Sequence, residues 1–112
     1  MRFKVLFLTA LLMFLPSLVL AFAVPEKPSS FVSDYAEMLR PEEKISLENK
    51  LSEFEKQTTN EIGVVTIKSL DGNTIENIAQ EIFTKWRIGK KDKNNGVLLL
   101  ISLGDRQTRI HT

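Results

Sequence analysis

"IGVVTIKSLDGNTIENIAQEIFTKWRIGKKDKNNGVLLLI", residues 62–101, is the stretch that decides the fold. Ile62 to Ile67 is short, β-branched and nearly continuous in apolarity, which fits a buried strand better than an exposed edge. Asp71-Gly72-Asn73 then turns the chain. Thr74 can cap a helix in which Ile75, Ile78, Ala79, Ile82, Phe83 and Trp86 recur with a 3.6-residue period. The spacing predicts that this helix stops near Ile88-Gly89, with Gly89 suited to a left-handed C-terminal position. Lys90 to Asn95 is a polar, cationic loop, and Gly96 reopens the chain into Val97 to Ile101, an aliphatic run that calls for burial on both faces. Strand, helix and strand in this order make a βαβ crossover, so 62–67 and 97–101 should run parallel and close together in one sheet.

Upstream, Pro41 stands where a first helical residue would, and the charges of Glu42 and Glu43 complement the positive end of a helix. Leu47, Leu51 and Phe54 fall at i, i+4 and i+7, so a helix over 41–58 should turn this stripe to a core. Phe31 to Ala36 has no clear period and reads as an ordered lead-in without regular secondary structure. Downstream, Gly104-Asp105 reads as a hairpin turn into Thr108 to His111. The expected fold is α/β: a mixed sheet with a βαβ crossover and flanking helices, arranged as an α/β/α sandwich. Only one strand candidate comes after Val97 to Ile101, so the second face of that run calls for cover from a partner or from further polypeptide.

Residues 1–23 read as an export signal. Arg2 and Lys4 form a basic start, Val5 to Leu20 is almost wholly apolar, and Ala21-Phe22-Ala23 is an A-x-A cleavage site. A retained membrane anchor is the alternative, because about 18 apolar residues just span a bilayer. Pro16 and the small residues around Phe22 favour cleavage after Ala23, with a periplasmic or extracellular product. Val24 to Ser30, with Pro25, Pro28, Ser29 and Ser30, reads as an extended linker, and the domain proper covers 31–112.

The chain's 15 basic and 14 acidic residues come close to balance once Arg2 and Lys4 are set aside. Such a balance argues against an electrostatic nucleic-acid binder. The absence of cysteine removes disulfides and thiolate chemistry together. An exported domain of this kind must be held by packing alone.

Few residues are candidates for chemistry. G-x-S-x-G and H-E-x-x-H are both missing, and His111 is a lone histidine one residue from the end, better read as structural or solvated. Asp92-Lys93-Asn94-Asn95-Gly96 has the look of a calcium loop but puts Val97 and Leu103 where an EF-hand needs glycine and glutamate. Lys85, Arg87, Lys90, Lys91 and Lys93 form a basic cluster that could meet anionic lipid or phosphate, or simply solvate a loop. Asp105 comes after the end of a buried strand, on the sheet edge where ligands of open α/β sheets lie, and Asp34 sits in a lead-in whose apolar neighbours would pin it to the domain. Two hard oxygen ligands on loops could hold Ca²⁺ or Mg²⁺ if other oxygens converge; otherwise Asp105 forms a turn and Asp34 a cap. No organic cofactor is expected.

Together these motifs resemble the TPM domain family. The resemblance rests on Val32-Ser33-Asp34, Leu39 before the first helix, the approach to the Ile62 strand, "SLDGNTIENIAQEIFTKWRIGKK" (69–91), "NNGVLLLIS" (94–102) and "DRQTRI" (105–110). It implies a central sheet with helices on both sides. It also implies a continuation beyond the "DRQTRI" strand, through a glycine-containing loop, further helices and an acidic segment, so the chain is expected to be a truncated form. Relatives in this family include a thylakoid-lumen protein tied to acid phosphatase activity and photosystem repair, and an animal auxiliary receptor subunit. An old methanol dehydrogenase or β-propeller label in the family finds no quinone site or repeated blades here.

Two functions stand as expectations. One is a non-catalytic, envelope-located interaction module with a membrane or membrane-protein partner, tending assembly or repair. The other is a metal-dependent acid phosphatase in which Asp34 and Asp105 help hold a divalent cation that polarises a phosphoryl oxygen.

Overall fold

The computed structural model describes residues 22–89 and 94–112. The signal segment up to Ala21, and Lys90, Lys91 and Lys93 of the basic cluster, lie outside them. Four strands and two helices run in the order β1 (Val32–Asp34), α1 (Pro41–Thr58), β2 (Glu61–Ile67), α2 (Ile75–Trp86), β3 (Gly96–Ser102) and β4 (Gln107–His111). They form one mixed sheet in the order β1-β2-β3-β4. β1, β2 and β3 are parallel, and β4 returns antiparallel to β3.

The expected crossover from β2 through α2 to β3 is present, with Ile62 beside Val97 and Val65 beside Leu100. Thr74 caps α2 by accepting the N–H of Asn77 at 3.1 Å. The helix ends a little earlier than the glycine suggests. Arg87 takes the left-handed C-cap position at φ 50°, and its N–H reaches back to the last turn. Gly89 is also left-handed, at φ +94°, for a different reason: it lies against Gly96, and a Cβ there would meet the Gly96 nitrogen at 2.5 Å.

A second crossover joins β1 to β2, where the sequence pattern shows no strand. Val32–Asp34 is a short strand paired parallel to β2, with Val32 beside Val64. Three residues are too few for a period, and the tertiary partner on α1 is what makes them a strand. Glu48, on the inner side of α1, accepts the main-chain N–H groups of Phe31 at 3.0 Å and Val32 at 2.6 Å. At the start of α1, Glu43 accepts the Arg40 N–H at 3.0 Å and also its side chain, which holds the Glu43 carboxyl below its usual range.

The helices lie on opposite faces. Under α2, Val65, Ile67, Leu98 and Leu100 pack with Ile78, Ala79, Ile82 and Trp86, all buried. Under α1, Val32, Val64 and Leu51 pack with Leu47, Ile62 and Leu99. Burial of each such aliphatic side chain is worth about 1.5–3 kcal/mol, so the α2 layer carries most of the stability. β3 is not buried on both faces as its composition suggests: its residues alternate, with Leu98 and Leu100 fully buried and Val97, Leu99 and Ile101 only half-buried. The reason is that α1 packs over β1 and β2, while among the described residues no helix covers β3 and β4 on that side.

The segment read as a linker is docked. Trp86 donates its indole N–H to the Pro25 carbonyl at 2.7 Å and Lys85 donates to the Val24 carbonyl at 2.7 Å. Phe22 and Val24 pack against the α2-side core, and Phe22 meets the Tyr35 ring at 6.3 Å. Residues 22–28 are therefore a strap along the α2 side of the sheet, closed by the Lys27–Glu61 ion pair at 3.4 Å.

Candidate functional site

The carboxyl ends of β1, β2 and β3 point the same way, and loops leaving them carry both aspartates. Asp34 ends β1. Its Oδ1 accepts the Met38 N–H at 3.0 Å and the Thr66 hydroxyl, and its Oδ2 accepts the Leu39 N–H at 2.8 Å. Thr66, only 2% exposed in β2, accepts the Ala36 N–H at 3.1 Å in turn. Burial raises the Asp34 carboxyl pKa, but the Thr66, Leu39 and Met38 hydrogen bonds with the nearby Lys44 charge outweigh it, and the group lies below its ordinary value.

Asp105 stands in the turn between β3 and β4. Its Oδ2 accepts the Leu70 N–H at 2.7 Å and the hydroxyl of fully buried Ser102 at 2.7 Å. The Leu70 N–H, then the Ser102 hydroxyl, hold this carboxyl below its ordinary value as well. The turn itself docks on the loop after β2, where the Leu103 and Gly104 N–H groups donate to the Ile67 and Lys68 carbonyls. Gly104 is required there, because a Cβ would meet the Lys68 carbonyl oxygen at 2.7 Å.

The two aspartates thus sit on either side of the end of β2, one bonded to Thr66 within it and the other to Leu70 just beyond it. Each ties a neighbouring loop to the central strand. For a hard cation, which takes six or more oxygens, they supply a fraction of the ligands. Among the described residues no group of three or more acidic or histidine side chains gathers to complete the set. One oxygen stays open: Asp105 Oδ1 takes no hydrogen bond among the described residues.

The other sequence candidates are dispersed. Lys85 is engaged with the strap, through the Val24 carbonyl and the exposed Glu26 at 3.7 Å. Arg87 caps α2. His111 packs against Phe83, ring to ring at 5.0 Å. Two open grooves of about 480 and 470 Å³ run along α2, the second past Phe83 and Arg87, and neither is lined by Asp34 or Asp105. Thr66, Ser102 and Glu48 organise this end of the sheet without standing out in the sequence. A hydroxyl at the end of an otherwise aliphatic strand is the signal that both Thr66 and Ser102 carry. Among the described residues no helix is long and apolar enough to cross a membrane.

Comparison with known proteins agrees with this architecture. The model of the TPM domain, a family whose name includes the word phosphatase, matches residues 32–112. Similar solved structures include the N-terminal domain of a P. gingivalis protein, 24% identical with a TM-score of 0.69, which covers 81% of this chain. Another is the N-terminal domain of a Corynebacterium glutamicum protein, 22% identical with a TM-score of 0.63 over 85% of this chain. The chain spans 64% and 60% of the length of those two, and at such identities the likeness speaks to fold. No curated protein matches the sequence. With the family model covering well over half of the residues, the chain belongs to the TPM domain family.

Proposed function

We propose that this TPM domain is an exported, envelope-located interaction module, non-catalytic and serving membrane-protein assembly or repair. The observation that carries the reading is the bare side of β3 and β4. Val97, Leu99 and Ile101 are half-buried there, and Ile110, beside Leu99 in the register, is 68% exposed. Contiguous apolar surface of this kind on a small domain marks a contact face. The engaged state of both aspartates supports the same reading, since their hydrogen bonds brace loops. Export is supported by the basic, apolar and A-x-A succession over residues 1–23.

A second reading, a divalent-metal-dependent acid phosphatase, draws on the open Oδ1 of Asp105 and on the family name. Hydrolysis of p-nitrophenyl phosphate by the 112-residue chain, with Ca²⁺ or Mg²⁺, sets the two apart. The interaction reading expects no rate above a buffer blank. Metal-dependent turnover that disappears in Asp34→Asn or Asp105→Asn would establish the phosphatase instead.

A further inference from the structure

β4 is an edge strand, without a neighbour on its outer side among the described residues. In an antiparallel pair alternate residues turn their N–H and C=O away from the partner, so Gln107–His111 presents free main-chain donors and acceptors. Its side chains sort by face. The pairs Leu98–His111 and Leu100–Arg109 place Arg109 and His111 on the α2 side. The pair Leu99–Ile110 places Ile110 on the bare side.

The polar members of this edge are left incomplete. Arg109 Nε and His111 Nδ1 are shielded from water, and neither has a hydrogen-bond partner. Among the described residues Arg109 forms no ion pair. Shielded, unpaired donors of this kind are costly, and a carboxylate supplied from outside would relieve them. A second copy of the chain does not supply one. Antiparallel β4 pairing centred on Arg109 would set two Arg109 side chains opposite one another, which is destabilising.

We propose that β4 docks an extended segment of another polypeptide in which acidic and apolar residues alternate. The segment adds a fifth strand, its acidic side chains meet Arg109 and His111 on the α2 side, and its apolar side chains meet Ile110 and the bare face. This rests on the interaction-module reading and names the chemistry of the partner.

The test is fluorescence anisotropy of a labelled peptide of alternating glutamate and valine, titrated with the 112-residue chain in mild detergent. The expected result is saturable binding, weakened about tenfold by Arg109→Gln and weakened by added salt. The same peptide with a central proline, which cannot complete a strand ladder, should not bind. His111→Gln provides a second variant should Arg109→Gln lose its circular dichroism signature. No binding, equal binding of the proline peptide, indifference of both variants, or self-association in place of peptide binding would each overturn the proposal. If the peptide fails while a crosslinker at position 110 still captures an envelope protein, this proposal falls and the interaction-module reading stands.

Discussion

The hydroxyl of Thr66 donates to the carboxylate of Asp34, joining the middle of the sheet to the end of its shortest strand. Because the same hydroxyl accepts the Ala36 N–H at 3.1 Å, one buried side chain holds the turn that leads from β1 towards α1. Thr66→Val keeps the shape and leaves two groups without their partner. The expected loss is about 1–3 kcal/mol, read as a lower urea midpoint with an unchanged slope.

Acid should unfold the domain through this same end of the sheet. Asp34 and Asp105 both lie below the ordinary 3.8 in the folded chain. A carboxylate depressed on folding stabilises fully above its unfolded value and loses that contribution as pH falls through its folded value. Stability should therefore hold down to about pH 4 and then fall. In Asp34→Asn the decline below that pH should be shallower, as tracked by circular dichroism at graded pH. An equally steep decline would remove Asp34 from the account.

The strap gives a spectroscopic prediction. Trp86 is the only tryptophan, and its indole N–H is bonded to Pro25 across 61 positions of sequence. A chain beginning at Lys27 should show red-shifted tryptophan emission, because the indole loses its partner and gains water. Trp86→Phe in the intact chain keeps most of the packing and should cost about 1 kcal/mol. Unshifted emission in the shortened chain would show that the strap does not dock.

The crossover between β2, α2 and β3 is legible in the sequence because a 3.6-residue period between two aliphatic runs admits few other folds. The bounds of α1 and α2 can be read for the same reason, helped by Pro41 and Thr74. β1 is not legible: Val32, Ser33 and Asp34 become a strand only through Val64 and the Glu48 carboxylate, partners 16 or more residues away. The strap reads as a linker because Pro25 and Pro28 signal one, while the bond that holds it uses a carbonyl that any residue possesses. Asp34 and Asp105 stand out by residue type and strand position. Their partners are main-chain N–H groups and single hydroxyls, which leave almost no mark on a sequence.

Gly96 and Gly89 make a contact that tolerates no side chain. A Cβ on Gly96 would meet the Ile88 carbonyl oxygen at 2.2 Å, and both facing atoms are main chain. Gly96→Ala should destabilise by more than about 2 kcal/mol through displacement of the α2–β3 connection, whereas Gly72→Ala, with open space around it, should cost only its left-handed strain. Thermal unfolding of the two variants side by side checks the ranking.

The central claim is that the bare side of β3 and β4 is a contact face. Its most direct test is a photoreactive amino acid at position 110, compared with one at position 53 on the outer side of α1, crosslinked in the cell envelope of the protein's own host. The account predicts a discrete adduct from position 110 and none from position 53. No adduct from position 110, or the same diffuse pattern from both positions, would contradict it.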